Sequence, residues 1–129
     1  MARVKEMPDD VKLACLSLVR GYARRRDEYR ISKDRIAAGS CQDVYITQEQ
    51  LEAHPETRRM RAVEFAAERI GGDLPADQRD RLVNAIFTSC IRGRKAPFEK
   101  LNVIGMERTC FYTRRAKFLR EIAAYMDML

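Results

Sequence analysis

Glycine and proline are scarce in this chain, six and four of 129 residues, and no long stretch alternates apolar with polar residues one by one. A half-buried strand needs that alternation and frequent turn residues. A helix needs an unbroken run with apolar residues three and four apart. The chain offers the second pattern throughout. Hydrophobic residues make up 46%, enough for a core, and the length is that of one ordinary domain. The sequence therefore predicts an all-α, multi-helix domain of about five helices.

The first helix is expected to begin near Pro8, a residue tolerated in a first turn, where Asp9 and Asp10 favour the positive end of the helix dipole. Val11, Leu13, Ala14, Leu16, Leu18 and Val19 are too apolar for one narrow stripe, so a buried helix is expected, continuing through Gly21 toward Ile36. Its second half is mostly polar. Tyr22, Tyr29 and Ile36 recur there every seven residues, a spacing suited to packing on a partner helix or a second subunit. Gly39 to Asp43 reads as a loop, and Val44-Tyr45-Ile46 as a short apolar segment compatible with extended chain. Thr47 and Gln50 have the form of a capping box at the head of a short helix that Pro55 interrupts. Met60, Val63, Ala67 and Ile70 then mark a buried stripe ending at Gly71-Gly72. Asp73 and Pro75 open the next helix, whose apolar face is Leu82, Ala85, Ile86, Ser89 and Cys90 and whose stop lies near Gly93.

The charge is unevenly spread. The net charge is +6, yet residues 1–87 carry 16 basic and 15 acidic groups while residues 88–129 carry 9 and 4. The excess is thus local to the last third, which points to a polyanion as partner for that part. Pro97 is expected to start a short helix with Phe98 and Leu101, Asn102 to Gly105 to make a turn, and a longer helix to run from Met106. On a wheel of about 100° per residue, Phe111, Phe118, Ile122 and Tyr125 share one side, flanked by Leu119 and Met126. Thr109, Thr113, Ala116, Lys117 and Arg120 share the other. Short helix, turn, longer basic helix is the helix-turn-helix order, in which the second helix enters the major groove of double-stranded DNA. Thr109 and Thr113 allow close approach; Arg108, Arg114, Arg115 and Lys117 can reach phosphates or a guanine edge; Tyr112 can meet a phosphate or a thymine methyl. Arg92, Arg94, Lys95 and Lys100 add backbone contacts. Residues 1–74 read as helical scaffold or oligomerisation part and residues 75–129 as the DNA-binding part of one compact domain.

The stretch Met106 to Leu119, MERTCFYTRRAKFL, resembles the recognition helix of phage-type regulators of the ArpU/RinA kind, helix-turn-helix proteins similar in shape to region 4 of sigma-70 factors. The residues that carry the resemblance are Glu107, Arg108, Thr109, Phe111, Tyr112, Arg115 and the pair Phe118-Leu119, with Pro97 to Leu101 similar to the family's first helix but without its usual Ala-rich stretch. The resemblance spans about 30 residues. It implies a DNA-binding transcription regulator of a prophage or other mobile element. A homodimer on a two-fold operator, or a contact between the N-terminal helices and RNA polymerase, would go with that function. Two other readings stay open: a DNA-packaging component such as a small terminase subunit, and a helical protein-interaction module that binds no DNA.

No enzyme chemistry, cofactor or metal site is expected. The sole histidine, His54, has no neighbouring Ser or Cys motif and reads as a surface or helix-end residue. Gly71-Gly72 lacks the lysine and hydroxyl residue of a phosphate loop. Glu64 and Glu68, with Arg61 and Arg69 close by, read as a salt-bridged face, and the run Arg24-Arg25-Arg26, followed by Asp27-Glu28, as a solvated one. The cysteines, Cys15, Cys41, Cys90 and Cys110, stand 26, 49 and 20 residues apart, without the close spacing of a zinc or redox motif. No apolar run reaches the roughly 18 residues of a membrane span, and the N-terminus lacks the apolar core of a signal peptide. Together these predict a cytoplasmic protein.

Overall fold

Gly21 divides what the hydrophobic pattern joins. The computed structural model, which describes residues 7–39, 47–101, 103 and 105–129, has two helices there: α1, Asp9–Arg20, and α2, Tyr22–Ala37. The backbone bonding almost carries through, with Gly21 N–H donating to the Ser17 carbonyl at 3.0 Å and Arg25 N–H to the Gly21 carbonyl at 3.1 Å. The junction is held from outside by Arg25. Its Nη1 donates to the Leu18 carbonyl at 3.2 Å and its Nε to the Glu56 carboxylate at 2.7 Å. A Cβ on Gly21 would stand 2.5 Å from Arg25 Nη1, so the missing side chain is what lets the guanidinium lie across the bend.

The other helices are α3, Gln48–Ala53; α4, Pro55–Glu68; α5, Ala76–Arg92; and α6, Arg108–Tyr125. Among the described residues there is no strand, and the domain is all-α with six helices. The Thr47–Gln50 capping box forms at the head of α3. His54 caps α4, its Nδ1 accepting from Glu56 N–H at 3.1 Å, which is the helix-end role expected of it. The segment 44–46 and most of the loop before it lie outside the described residues. Two short pieces differ from expectation. Helix α4 stops at Glu68, earlier than Gly71-Gly72, and Arg79 of α5 holds the chain as it leaves: Nη2 meets the Glu68 carbonyl at 2.6 Å and Nε the Ile70 carbonyl, two residues past the helix, at 3.1 Å. The residues Phe98–Lys100 after Pro97 form a single 3₁₀ turn, not an α-helix. Proline removes one backbone donor, and too few residues follow before the chain turns again to pay for helix nucleation.

One core joins both ends of the chain. Cys15, Leu18 and Val19 of α1, Ala62, Val63 and Ala66 of α4, Leu82, Ile86 and Cys90 of α5, and Phe111, Phe118 and Ile122 of α6 are all buried in one cluster. The predicted α5 face is borne out residue for residue. Helix α6 lies chiefly on α4 and α1. Its end is fixed by a left-handed Asp127 at φ 58°, with Met128 N–H bonded to the Ala123 carbonyl at 2.8 Å. The Asp127 carboxylate takes Arg58 of α4 at 2.8 Å. The result is an 18-residue helix anchored along its length and at its C-terminal end.

Helix α2 differs in kind. None of its residues is fully buried, and it packs on α3 and α4. The two tyrosines of the Tyr22–Tyr29–Ile36 stripe meet other helices of their own chain. Tyr22 tilts against Phe87 of α5 at 5.8 Å between ring centroids and donates to Glu64 at 2.9 Å; Tyr29 donates to Glu52. Burial, together with the Glu64 carboxylate, pushes the Tyr22 hydroxyl up to about 12.

Candidate nucleic-acid interface

Helix α6 has two unlike sides. Phe111 and Phe118 are 0% exposed and pack in tilted pairs against Phe98 and Phe87, with ring centroids 5.4 and 5.5 Å apart. On the opposite side Thr109, Thr113, Ala116 and Lys117 are exposed. The Thr113 hydroxyl donates to its own helix, to the Thr109 carbonyl at 2.9 Å, which leaves its lone pairs facing outward and its bulk small. This outer face is narrow and free of acidic side chains. The first turn of α6 carries no acidic residue, and Glu107, exposed at the N-cap, supplies the carboxylate that the positive end of the helix favours.

The basic residues expected to serve this helix fall into three groups. Arg92 at the end of α5, Arg94 and Lys95 in the 3₁₀ turn Gly93–Lys95, Lys100 in the second 3₁₀ turn, and Lys117 are exposed, and none of them has an ion pair among the described residues. Gly93 makes the first turn possible, at φ 59° and ψ −128°, a region open in practice to glycine. Arg108 is exposed too, loosely paired with Glu99 at 3.4 Å and lying over the Tyr112 ring at 5.8 Å.

Arg114 is committed elsewhere. It makes a two-pronged bond to Asp73, at 2.9 and 2.8 Å, from a half-buried position, and the bonded guanidinium holds the Asp73 carboxyl down at about 2. Arg114 therefore ties α6 to the α4–α5 turn and is poorly placed to serve a phosphate. Asp73 is 41 residues away in sequence, and no local signal in the chain announces this pair.

Arg115 is the third case. It lies at the edge of the core, where the helical wheel places it, and its Nε is buried with no hydrogen-bond partner. Ser89 and Cys90 of α5 are beside it. Burial pushes the Cys90 thiol up, and the Arg115 guanidinium pulls the other way. Arg115, Arg108 and Tyr112 face Arg94 and Ser89 around an open cavity of about 350 Å3. A second cavity, about 300 Å3, brings Arg114 and Lys117 to Arg69 and the Gly71–Asp73 turn. The eleven residues singled out in the sequence thus do not form one patch. They flank α6 on two sides, with the threonine face between.

Several of the remaining charged groups form solvated pairs. Arg61 meets Glu64 at 2.9 Å, Arg69 meets Glu121 of α6 at 3.2 Å, and Arg24 meets Glu28 at 3.2 Å. Among the described residues no group of three or more His, Cys, Asp or Glu could hold a metal ion, and no helix is long and apolar enough to cross a membrane.

Fold and surface together define an all-α, multi-helix domain with a basic C-terminal helix whose outer face is bare. No family model, curated protein or solved structure matches the chain.

Proposed function

We propose that the protein binds double-stranded DNA through α6 and acts as a transcription regulator of a prophage or mobile element. The observation that carries this reading is the division of α6: an anchored aromatic side, and an outer side of Thr109, Thr113, Ala116 and Lys117 with no acidic side chain. A helix that enters the major groove needs small residues where backbones approach and cations along the rims. Arg108 and Arg94 flank one rim, Lys117 the other, and Arg92, Lys95 and Lys100 extend the positive surface. The regulatory role rests on the resemblance of Met106 to Leu119 to phage-type regulators. A homodimer or an RNA-polymerase contact belongs to the same reading, with the N-terminal helices as the available surface.

The test is fluorescence anisotropy with a labelled duplex selected from a random pool. Affinity should fall with salt at a slope of about 0.9 per phosphate neutralised, so about −5 on a log–log plot if Arg92, Arg94, Lys95, Lys100, Arg108 and Lys117 all engage. Thr113→Glu should remove sequence preference and most of the affinity while leaving the melting curve intact, since the side chain is exposed. Binding unchanged by Thr113→Glu, or the absence of any salt-dependent duplex binding, would refute the assignment.

A further inference from the structure

The cavity between the end of α5 and the first half of α6 holds three guanidinium groups, those of Arg94, Arg108 and Arg115, with the Ser89 hydroxyl and the Tyr112 side chain, and no carboxylate in its wall. A cluster of cations at a helix C-terminus has an ordinary explanation, since it complements the negative end of the α5 dipole. That end is equivalent to roughly half a charge. Glu99, the one acid paired with any of the three, contributes one more and holds Arg108 only at 3.4 Å between exposed side chains. Three positive charges against these two sources leave a clear excess. Arg115 sits at the cavity edge with its Nε buried and the Cys90 thiol beside its guanidinium, so it contributes charge rather than a donor open to the cavity. Arg94 has no ion pair among the described residues. The uncancelled charge, in a wall without a carboxylate, calls for an oxyanion.

We propose that this cavity is a binding site for a phosphate group, held by Arg94, Arg108 and Arg115 with the Ser89 hydroxyl as a further donor. Guanidinium forks match tetrahedral oxyanions in geometry and charge. The cavity is also large enough for the group that carries the phosphate. That group is either the DNA backbone or a free phosphorylated small molecule. The site shares Arg94, Arg108 and Arg115 with the proposed DNA surface, so the first measurement is made without DNA and the two assignments can fail separately.

The full chain is titrated with inorganic phosphate at fixed pH and at ionic strength held constant with chloride, while the Nε–H resonances of the arginines are followed by NMR. The Arg115 Nε–H signal should shift saturably. Arg94→Gln, an exposed change that leaves the core untouched, should weaken binding about tenfold, the value of one hydrogen bond to a charged group. Arg35→Gln on α2, which removes the same charge elsewhere, should leave it unchanged. No saturable shift in the wild type, or equal weakening by Arg94→Gln and Arg35→Gln, overturns the site. Duplex affinity is then compared in phosphate and in chloride at equal ionic strength. Displacement of the duplex identifies the DNA backbone as the source of the phosphate. Phosphate binding without displacement identifies a free phosphorylated ligand. Saturable phosphate binding with no duplex binding keeps the site and removes the DNA reading.

Discussion

Arg115→Met isolates the energetic consequence of a buried, unpaired donor. In the ligand-free protein Arg115 Nε–H has lost its water and gained no acceptor. Such a group costs about 1–3 kcal/mol. Methionine is close to the arginine stem in length, has no donor to satisfy and adapts to irregular space beside a residue such as Cys90. Against this gain stands the loss of a cation near the C-terminal end of α5, worth about 0.3–1 kcal/mol where partly exposed. The net expectation is a variant more stable than the wild type by about 1 kcal/mol. For a chain of this length that is a rise in Tm of about 4 °C. Urea and thermal melts followed by circular dichroism, in low-salt buffer free of phosphate and sulfate, measure it directly. The same variant should lose its response to phosphate, so that added phosphate narrows the gap by raising the wild type alone. If Arg115→Met is instead less stable by more than about 1 kcal/mol, the guanidinium is a structural group with a partner, and its place in a ligand site is lost with it.

Two further changes test the platform under the site. Phe118→Ala should cost about 3–5 kcal/mol, as truncation of a fully buried aromatic does, because Phe118 is 0% exposed and packed on Phe87; a melting curve near wild type would sink the assignment of this face to the core. Acidification tests the polar contacts. Arg25, Tyr29 and Arg114 hold the carboxyls of Glu56, Glu52 and Asp73 below their ordinary values. Each is ionised more readily in the folded protein, so its stabilisation is complete above the ordinary carboxylate range and is lost as the pH falls through it, toward about 2 for Asp73. Melts from pH 6 down to pH 2.5 should show Tm falling through this window, and a flat profile would mean that these pairs contribute nothing.

Most of the fold was legible because it depends on local periodicity. The apolar face of α5, the Thr47–Gln50 box, the restart at Pro55 and the two sides of α6 each follow from residues within a few turns of one another. What escaped depends on contacts across the chain. The break at Gly21 is fixed by Arg25 and Glu56, 31 residues apart, and the chain leaving α4 is held by Arg79. The run Arg24-Arg25-Arg26 reads as uniform in sequence, yet the Arg25 side chain is only 11% exposed against 57% for Arg24. The candidate site divides the same way. The bare threonine face of α6 follows from a helical wheel. The wheel also sets Arg115 at the edge of the core, whereas the bond from Arg114 to Asp73 is a fact of packing that composition and spacing do not carry.

The polar attachment of α2 gives the molecule two kinds of stability that respond oppositely to one variable. Helices α1, α4, α5 and α6 hold together by apolar burial, which excluded salts such as sulfate strengthen. Helix α2 is held by the part-buried Arg25–Glu56 pair at 2.7 Å and by tyrosine–carboxylate bonds from Tyr22 and Tyr29, polar contacts that added salt weakens only in small measure while it tightens the core. The expected partial opening is release of α2 from the rest of the body.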